Sequence, residues 1–128
     1  MERVIRRRWL AGAALVAAVC LSPIAANAHH GWGGYLDATT DISGTVESAP
    51  SLAGPHATMK IRVDGQVWDV VLAPPARTER AGLKEGMIPV GAQVTVHGNR
   101  HRDPKRFEIK TSRLTWNGRV FNVYPDRS

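Results

Sequence analysis

Apolar and polar residues alternate with a period of two through several segments of this chain. The alternation runs from Thr40 to Glu47 and again from Ala57 to Asp64, and residues 66–72 form a third segment rich in Val and Trp. A period of two places successive side chains on opposite faces of a β-strand, so each segment has one face to bury and one to expose. The pattern therefore predicts a chain made almost entirely of strands.

Two dipeptides predict tight turns between these strands. Asp64-Gly65 separates the second strand from the third, and Asn117-Gly118 separates the fifth from the sixth. Two-residue hairpin turns need a positive φ at the central positions, which Gly adopts without strain and Asn and Asp tolerate. Both dipeptides therefore indicate β-hairpins.

The rest of the chain predicts one short helix and three further strands. Residues 75–82 begin with proline and end with glycine, an arrangement typical of a helix. Residues 93–96, 107–116 and 119–124 have strand character. The apolar positions of the fifth strand change face along its length, which predicts a β-bulge near residues 111–113.

Three strands, a helix, and two or three more strands is the element order of the OB-fold, a small Greek-key barrel. With 128 residues the chain has room for one domain. We therefore predict an all-β fold with one short helix, an OB-like barrel over residues 39–124. A flexible arm, residues 29–38, would precede it and a tail, residues 125–128, would follow. A β-roll or a small open sandwich is compatible with the same order.

The first 28 residues have the pattern of a signal peptide. Three arginines at positions 6–8 precede an apolar run over residues 9–21, and residues 26–28 (ANA) form a small-x-small cleavage site. The run is shorter than the about 20 apolar residues that a membrane-spanning helix needs. We expect cleavage after Ala28, no membrane span afterwards, and export to the periplasm by the general secretory or, from the paired arginines, the twin-arginine route.

Processing would also change the charge and the cysteine content. The whole chain has a formal charge of +6, and residues 29–128 retain 13 basic and 10 acidic residues, or +3. Cys20 is the one cysteine of the sequence and lies in the apolar run. The processed chain would therefore have no disulfide and no thiolate metal site.

The remaining basic residues predict a surface for an acidic partner. We expect a protein or an envelope ligand to contact them: Lys60, Arg62, Arg100, Arg102, Lys105 and Arg106. Nucleic-acid binders combine such charges with exposed aromatic side chains for base stacking. The larger aromatic side chains Trp68, Phe107 and Trp116 are instead expected in the core. Nucleic-acid binding is therefore not predicted.

Cleavage after Ala28 would make His29 the first residue and His30 the second. An N-terminal histidine can offer its α-amine and its Nδ1 atom to one metal ion, and a third nitrogen from a distant histidine completes a T-shaped histidine brace. Such nitrogen-rich, nearly planar coordination suits Cu(II). The candidates for the distant ligand are His56, His97 and His101. We therefore predict a Cu(II) site, and the alternative is a metal-free periplasmic binding module.

Enzymatic motifs are missing from the sequence. It contains no Gly-x-Ser-x-Gly nucleophile turn, and its Gly-rich stretch, residues 31–34, precedes a strand rather than following one as a phosphate-binding loop does. The expectation is a non-catalytic protein.

Four segments carry a family resemblance: residues 28–32 (AHHGW), 42–46 (ISGTV), 54–56 (GPH) and 90–96 (VGAQVTV). Together they resemble small exported bacterial proteins of a DUF6152-type family of unknown function. The sequence departs from the family pattern at Gly31, where Ser is common, and at Gly54, where Asn is common. The resemblance implies export and a conserved fold without implying an activity. It matches His29, His30 and His56, which favours His56 as the distant ligand.

Overall fold

The computed structural model describes residues 31–127, and six strands and two short helical segments follow one another in this part of the chain. They are β1 (Thr40–Ser51), β2 (Thr58–Val63), β3 (Gln66–Val71), α1 (Pro75–Arg80), β4 (Gln93–Arg100), β5 (Glu108–Trp116), β6 (Arg119–Asn122) and a 3-10 turn (Pro125–Arg127). The predicted signal peptide, Cys20, His29 and His30 lie outside the described residues.

Five of the strands close into a barrel. The order of hydrogen-bonded strands is β3-β2-β1-β4-β5-β6, and a parallel pairing of β3 with β5 completes the ring. Strand β1 is long enough to pair with β4 along its first half, from Thr40 to Thr45, and with β2 from Thr45 to Ser51. Strand β6 extends β5 outside the ring. The predicted all-β fold with one short α-helix, an OB-like barrel, is confirmed.

Both predicted hairpin turns have the backbone geometry that their sequences require. Asp64 and Gly65 have φ values of 49° and 83°, and Asn117 and Gly118 have φ values of 53° and 77°. Two successive positive φ angles define the turn whose twist matches that of the flanking strands. The chain therefore reverses at the two places that the sequence indicates.

Helix α1 follows Pro74 and ends before Gly82, close to the predicted limits. Pro75 occupies the first turn, where its missing N–H costs no hydrogen bond. The buried Thr78 donates its hydroxyl to the carbonyl of Ala73 at 2.8 Å, which fastens the helix to the end of β3. Gly82 has a φ of 100°, so the chain leaves the helix through a left-handed residue.

The predicted bulge lies between β4 and β5. His97 pairs with Arg113 and Gly98 pairs with Thr111, so Ser112 is an extra residue on β5. Strand β4 also extends to Arg100, beyond the predicted residues 93–96, because its last residues pair with the first half of β5. Four consecutive residues of β5, Ile109 to Ser112, are buried, which places the side chain of a lysine among them.

The hydrophobic core is formed by apolar side chains from every strand and from the connecting segments. They are Val46, Ala57, Met59, Ile61, Trp68, Val70, Leu72, Ala73, Leu83, Ile88, Val94, Val96, Ile109, Leu114, Phe121 and Val123. Trp116 packs against this core as expected. The expectation for Phe107 is wrong: its residue is 37% exposed, because it precedes β5 at the rim of the barrel. No helix among residues 31–127 has the length and apolar character to cross a membrane.

Candidate functional site

Residues 31–38, the described part of the predicted arm (residues 29–38), lie along the end of β4. The N–H of Leu36 donates to the carbonyl of Arg100 at 2.8 Å, and the N–H of Arg102 donates to the carbonyl of Gly34 at 2.9 Å. Tyr35 forms a β-bridge with His101. These bonds fix the course of the chain immediately after His30.

Asn99 is the main side-chain contact of this segment. Its side chain comes from a buried position on β4, and its Nδ2 atom lies 2.9, 3.1 and 3.3 Å from the carbonyl oxygens of Leu36, Asp37 and Ala38. Three carbonyls around one amide group form a buried polar junction that an apolar side chain cannot replace.

Replacing Asn99 with leucine is expected to lower the free energy of unfolding by about 1–3 kcal/mol, the usual cost of leaving buried acceptors without a donor. Amide hydrogen exchange should then be faster at Leu36, whereas amides of β2 exchange as in the wild type. Equal protection of Leu36 in both proteins would show that Asn99 does not hold this segment.

A buried lysine on β5 lies next to the segment that Asn99 holds. Lys110 is 3% exposed, and its Nζ atom is 5.1 Å from the ring centroid of Trp32, 5.9 Å from that of Tyr35 and 6.0 Å from that of Tyr124. Aromatic faces attract a cation at such distances. We call these four residues, together with His56, the Lys110 cluster.

His56 completes the cluster from the segment that leads into β2. Its Nε2 atom lies 3.4 Å from Lys110 Nζ. An ammonium group can only donate, so Nε2 is the acceptor of this bond. On the other side, a Cβ atom placed on Gly31 would lie 3.8 Å from the same Nζ. The residue that follows His30 therefore lies at the cluster that contains His56.

The surroundings of Lys110 are poor in negative charge. Burial lowers the pKa of Lys110, the Glu108 carboxylate opposes this shift, and Arg127 adds to it. Glu108 accepts hydrogen bonds from the Tyr35 hydroxyl and from Arg106 Nη2, the latter at 2.9 Å. Within residues 31–127, no carboxylate lies within ion-pair distance of Lys110.

The tyrosines of the cluster are kept protonated. Burial and the hydrogen bond to Glu108 raise the pKa of Tyr35, and burial raises the pKa of Tyr124. Arg127 stacks on Trp32, with its guanidinium carbon 3.9 Å from the ring centroid. The cluster is thus aromatic and cationic, and its phenols supply no negative charge near neutral pH.

His97 and His101, the other candidate ligands, have different partners. His97 Nδ1 lies 2.6 Å from Asp41 Oδ1 across the β1–β4 pair. His101 Nδ1 accepts the backbone N–H of Asp103 at 3.0 Å, and its ring packs edge-on against Tyr35. Among residues 31–127, no three His, Cys, Asp or Glu side chains form a group that could hold a metal ion. The described chain therefore supplies single histidines rather than a complete metal site.

Most of the predicted basic surface is neutralised within the chain. Four of its six residues have a carboxylate within 4.0 Å: Lys60 with Asp69, Arg62 with Glu47, Arg102 with Asp37, and Arg106 with Glu108. The guanidinium carbon of Arg100 lies 4.6 Å from the ring centroid of Trp68. These contacts reduce the charge that the surface presents to a partner.

A groove of about 300 Å³ lies on the outer side of β1, β2 and β3. The apolar side chains of Ala49 and Val71 line it beside the hydroxyls of Ser48, Ser51 and Thr58. The ion pair between Lys60 and Asp69 and the carboxylate of Glu108 line it as well. Its mixed lining suits a small or extended ligand rather than a highly charged one.

Lys110, Trp32, Tyr35 and Tyr124 are absent from the candidates that the sequence provides. A lysine within a strand ordinarily indicates a solvent-exposed face. The one local signal was the change of face in β5, which shows that the strand has a bulge without showing which polar side chain it buries.

These features define a class of protein. It is a small OB-like barrel in which the first described residues contribute to the Lys110 cluster. A model of the DUF6152 family, a family of unknown function, matches residues 16–110. The chain therefore belongs to the DUF6152 family. No curated protein matches it.

Solved structures are similar to the barrel at low sequence identity. A ZRD-deleted mutant of TiaS in complex with agmatine has a TM-score of 0.50 and 13% identity, over 66% of this chain and 26% of that chain. Apo TiaS, a tRNAIle2 agmatidine synthetase, has a TM-score of 0.48 and 16% identity, over 61% of this chain and 18% of that chain. The S. pombe Stn1-Ten1 complex has a TM-score of 0.47 and 17% identity, over 61% and 57%. At such identities the likeness concerns the fold alone.

Proposed function

We propose that this protein is an exported, non-catalytic OB-like barrel that binds Cu(II) through its processed N-terminus. The ligands are the α-amine and the imidazole of His29, with His56 as the distant histidine, and His30 contributes its amide or its ring. The observation that supports this proposal is the position of Gly31, which lies at the cluster that contains His56.

Chain length limits where the ligands of a processed N-terminus can lie. Two Cα–Cα steps of about 3.8 Å and one N–Cα bond of about 1.5 Å separate the Gly31 Cα atom from the amine of His29. A processed chain would therefore begin within about 9 Å of Gly31. Because Gly31 lies near His56, this length would allow the amine and the imidazoles of a processed N-terminus to approach the imidazole of His56.

The donor set favours copper over harder cations. An amine and imidazoles are nitrogen ligands, for which Cu(II) has the highest affinity among the divalent first-row metals. The aromatic side chains of Trp32 and Tyr35 would limit access of water to such a site. Burial of this kind holds ligands in place and controls the exchange of the metal.

The decisive experiment compares two versions of the processed protein. One begins with His29, and the other carries Gly-Pro before His29. The extension removes the amine from the chelate, and its proline lacks the amide N–H that would otherwise provide a new copper ligand. We expect the protein that begins with His29 to bind one Cu(II) ion. The Gly-Pro extension is expected to weaken this affinity by at least about 100-fold. Titration against a competing chelator measures both affinities, and electron paramagnetic resonance reports the nitrogen ligands.

His56 is tested with a matched histidine variant. His56→Ala is expected to weaken the affinity by at least about tenfold, whereas His97→Ala leaves it unchanged because His97 is paired with Asp41. Equal affinity of the native and extended proteins would refute ligation by the N-terminal amine. Equal affinity of the two alanine variants would refute ligation by His56.

A metal-free binding module is the second candidate function, and the groove on β1, β2 and β3 favours it. OB-folds commonly bind ligands on the outer face around strands two and three, where this groove lies. The expected ligand is a protein segment or an envelope component. Chemical-shift changes at Thr58 and Val71 on addition of solubilised envelope material to metal-free protein would support it. Loss of these changes in Thr58→Tyr, which fills the groove, would localise the binding.

A further inference from the structure

We propose that Lys110 is an internal cation that competes with the metal ion for His56 and sets the copper affinity of this protein. The inference rests on the proposed function and adds a residue that weakens the binding of copper. The free-energy cost of displacing this buried ammonium group would then lower the affinity for copper.

The first argument is that the two cations need the same lone pair. Lys110 Nζ lies 3.4 Å from His56 Nε2, and an ammonium group can only donate in that contact. A metal ion binds an imidazole through an unprotonated nitrogen at about 2.0–2.1 Å. Coordination through Nε2 therefore requires that the ammonium group leave its position.

The second argument is that the positive charge of Lys110 is uncompensated where the metal would bind. Among the described residues no carboxylate lies within ion-pair distance of its Nζ atom, and Glu108 is engaged by Tyr35 and Arg106. Arg127 places a second cation on Trp32. Charges of like sign in a poorly solvated site repel each other strongly, so a divalent ion is disfavoured while Lys110 stays in place.

The third argument is that the lysine is held from several sides. Its residue is 3% exposed, and the rings of Trp32, Tyr35 and Tyr124 lie within about 6 Å of its Nζ atom. Displacement would give up these cation–π contacts as well as the hydrogen bond to His56. A lysine on the surface would move away at little cost. Displacement of the buried Lys110 costs free energy, which lowers the affinity for the metal ion.

The test removes the charge and keeps the shape of the side chain. In the processed protein that begins with His29, Lys110→Met is expected to bind Cu(II) at least tenfold more tightly than the wild type. Lys84→Met serves as the matched control, because Lys84 is an exposed residue between α1 and β4, and its affinity should equal that of the wild type. Lys110→Gln, which removes the charge and keeps a donor, should also bind more tightly.

A second measurement uses the unaltered protein, so it does not depend on the folding of a variant. Addition of Cu(II) is expected to raise the acylation of Lys110 by an amine-reactive reagent, measured by peptide mass spectrometry, with no change at the exposed Lys84.

The outcomes separate this inference from the proposed function. The competition is refuted if the wild type binds Cu(II) no more weakly than Lys110→Met and Lys110→Gln. It is also refuted if the acylation of Lys110 stays constant. Either result leaves the proposed copper site unaffected. Absence of binding in the wild type and in all variants overturns both.

Discussion

Replacing Gly98 with alanine is expected to lower the free energy of unfolding by at least about 3 kcal/mol, or to prevent folding. A Cβ atom on Gly98 would lie 2.1 Å from the carbonyl oxygen of Lys110 and 2.9 Å from the Cα atom of Thr111. Both are backbone atoms of β5 at the bulge, so no change of side-chain rotamer relieves the overlap. Strands β4 and β5 would have to separate at the bulge.

Urea unfolding followed by circular dichroism measures the loss, with Gly34→Ala as the control. At Gly34 the nearest atom to an added Cβ is His101 Nε2 at 3.6 Å, an ordinary contact with the end of a side chain. That variant should lie within about 1 kcal/mol of the wild type. Similar stability of the two variants would mean that the β4–β5 contact at the bulge is looser than described.

Replacing Phe121 with alanine is expected to cost about 3–5 kcal/mol, the usual range for a fully buried phenylalanine. Phe121 is 1% exposed, pairs with Leu114 across β5 and β6, and has its ring 3.8 Å from the position of a Cβ on Gly82. Its loss would leave a cavity where β6 meets the segment after α1. Because the backbone there is fixed by the barrel, the cavity can collapse only in part.

Phe107→Ala is the matched comparison, since it deletes the same atoms from the barrel rim. Phe107 is 37% exposed and contacts Trp68 edge-on at 5.4 Å between centroids. We expect a loss of about 1 kcal/mol, from that contact and partial burial. Thermal unfolding of the two variants side by side gives the difference. Equal losses would contradict the placement of Phe121 in the core.

The bulge that makes Gly98 irreplaceable also creates the Lys110 cluster. One extra residue on β5 shifts its register, so that Lys110, Thr111 and Ser112 are all buried between neighbouring elements. Without it, a period-two strand would return every second side chain to solvent. The bulge thus places Lys110 of β5 against His56, which lies just before β2.

The elements and most of their limits could be predicted from the residue pattern. The strands, the two turns and helix α1 depend on neighbouring residues, and side-chain period and turn chemistry are encoded locally. The bulge was also predictable, because the apolar set of β5 changes face within the strand. The start of a processed chain and its histidines remain predictions that depend on sequence alone.

Which residues come into contact depends on the folding of distant segments against one another. His56 and Lys110 are 54 positions apart, and their contact depends on how β2 and β5 are brought together when the barrel closes. The environment of Lys110 likewise depends on Trp32 and Tyr124, from opposite ends of the described chain. Local periodicity assigns a side chain to a face of its strand, whereas the neighbours on that face are set by closure and register, which no single segment encodes.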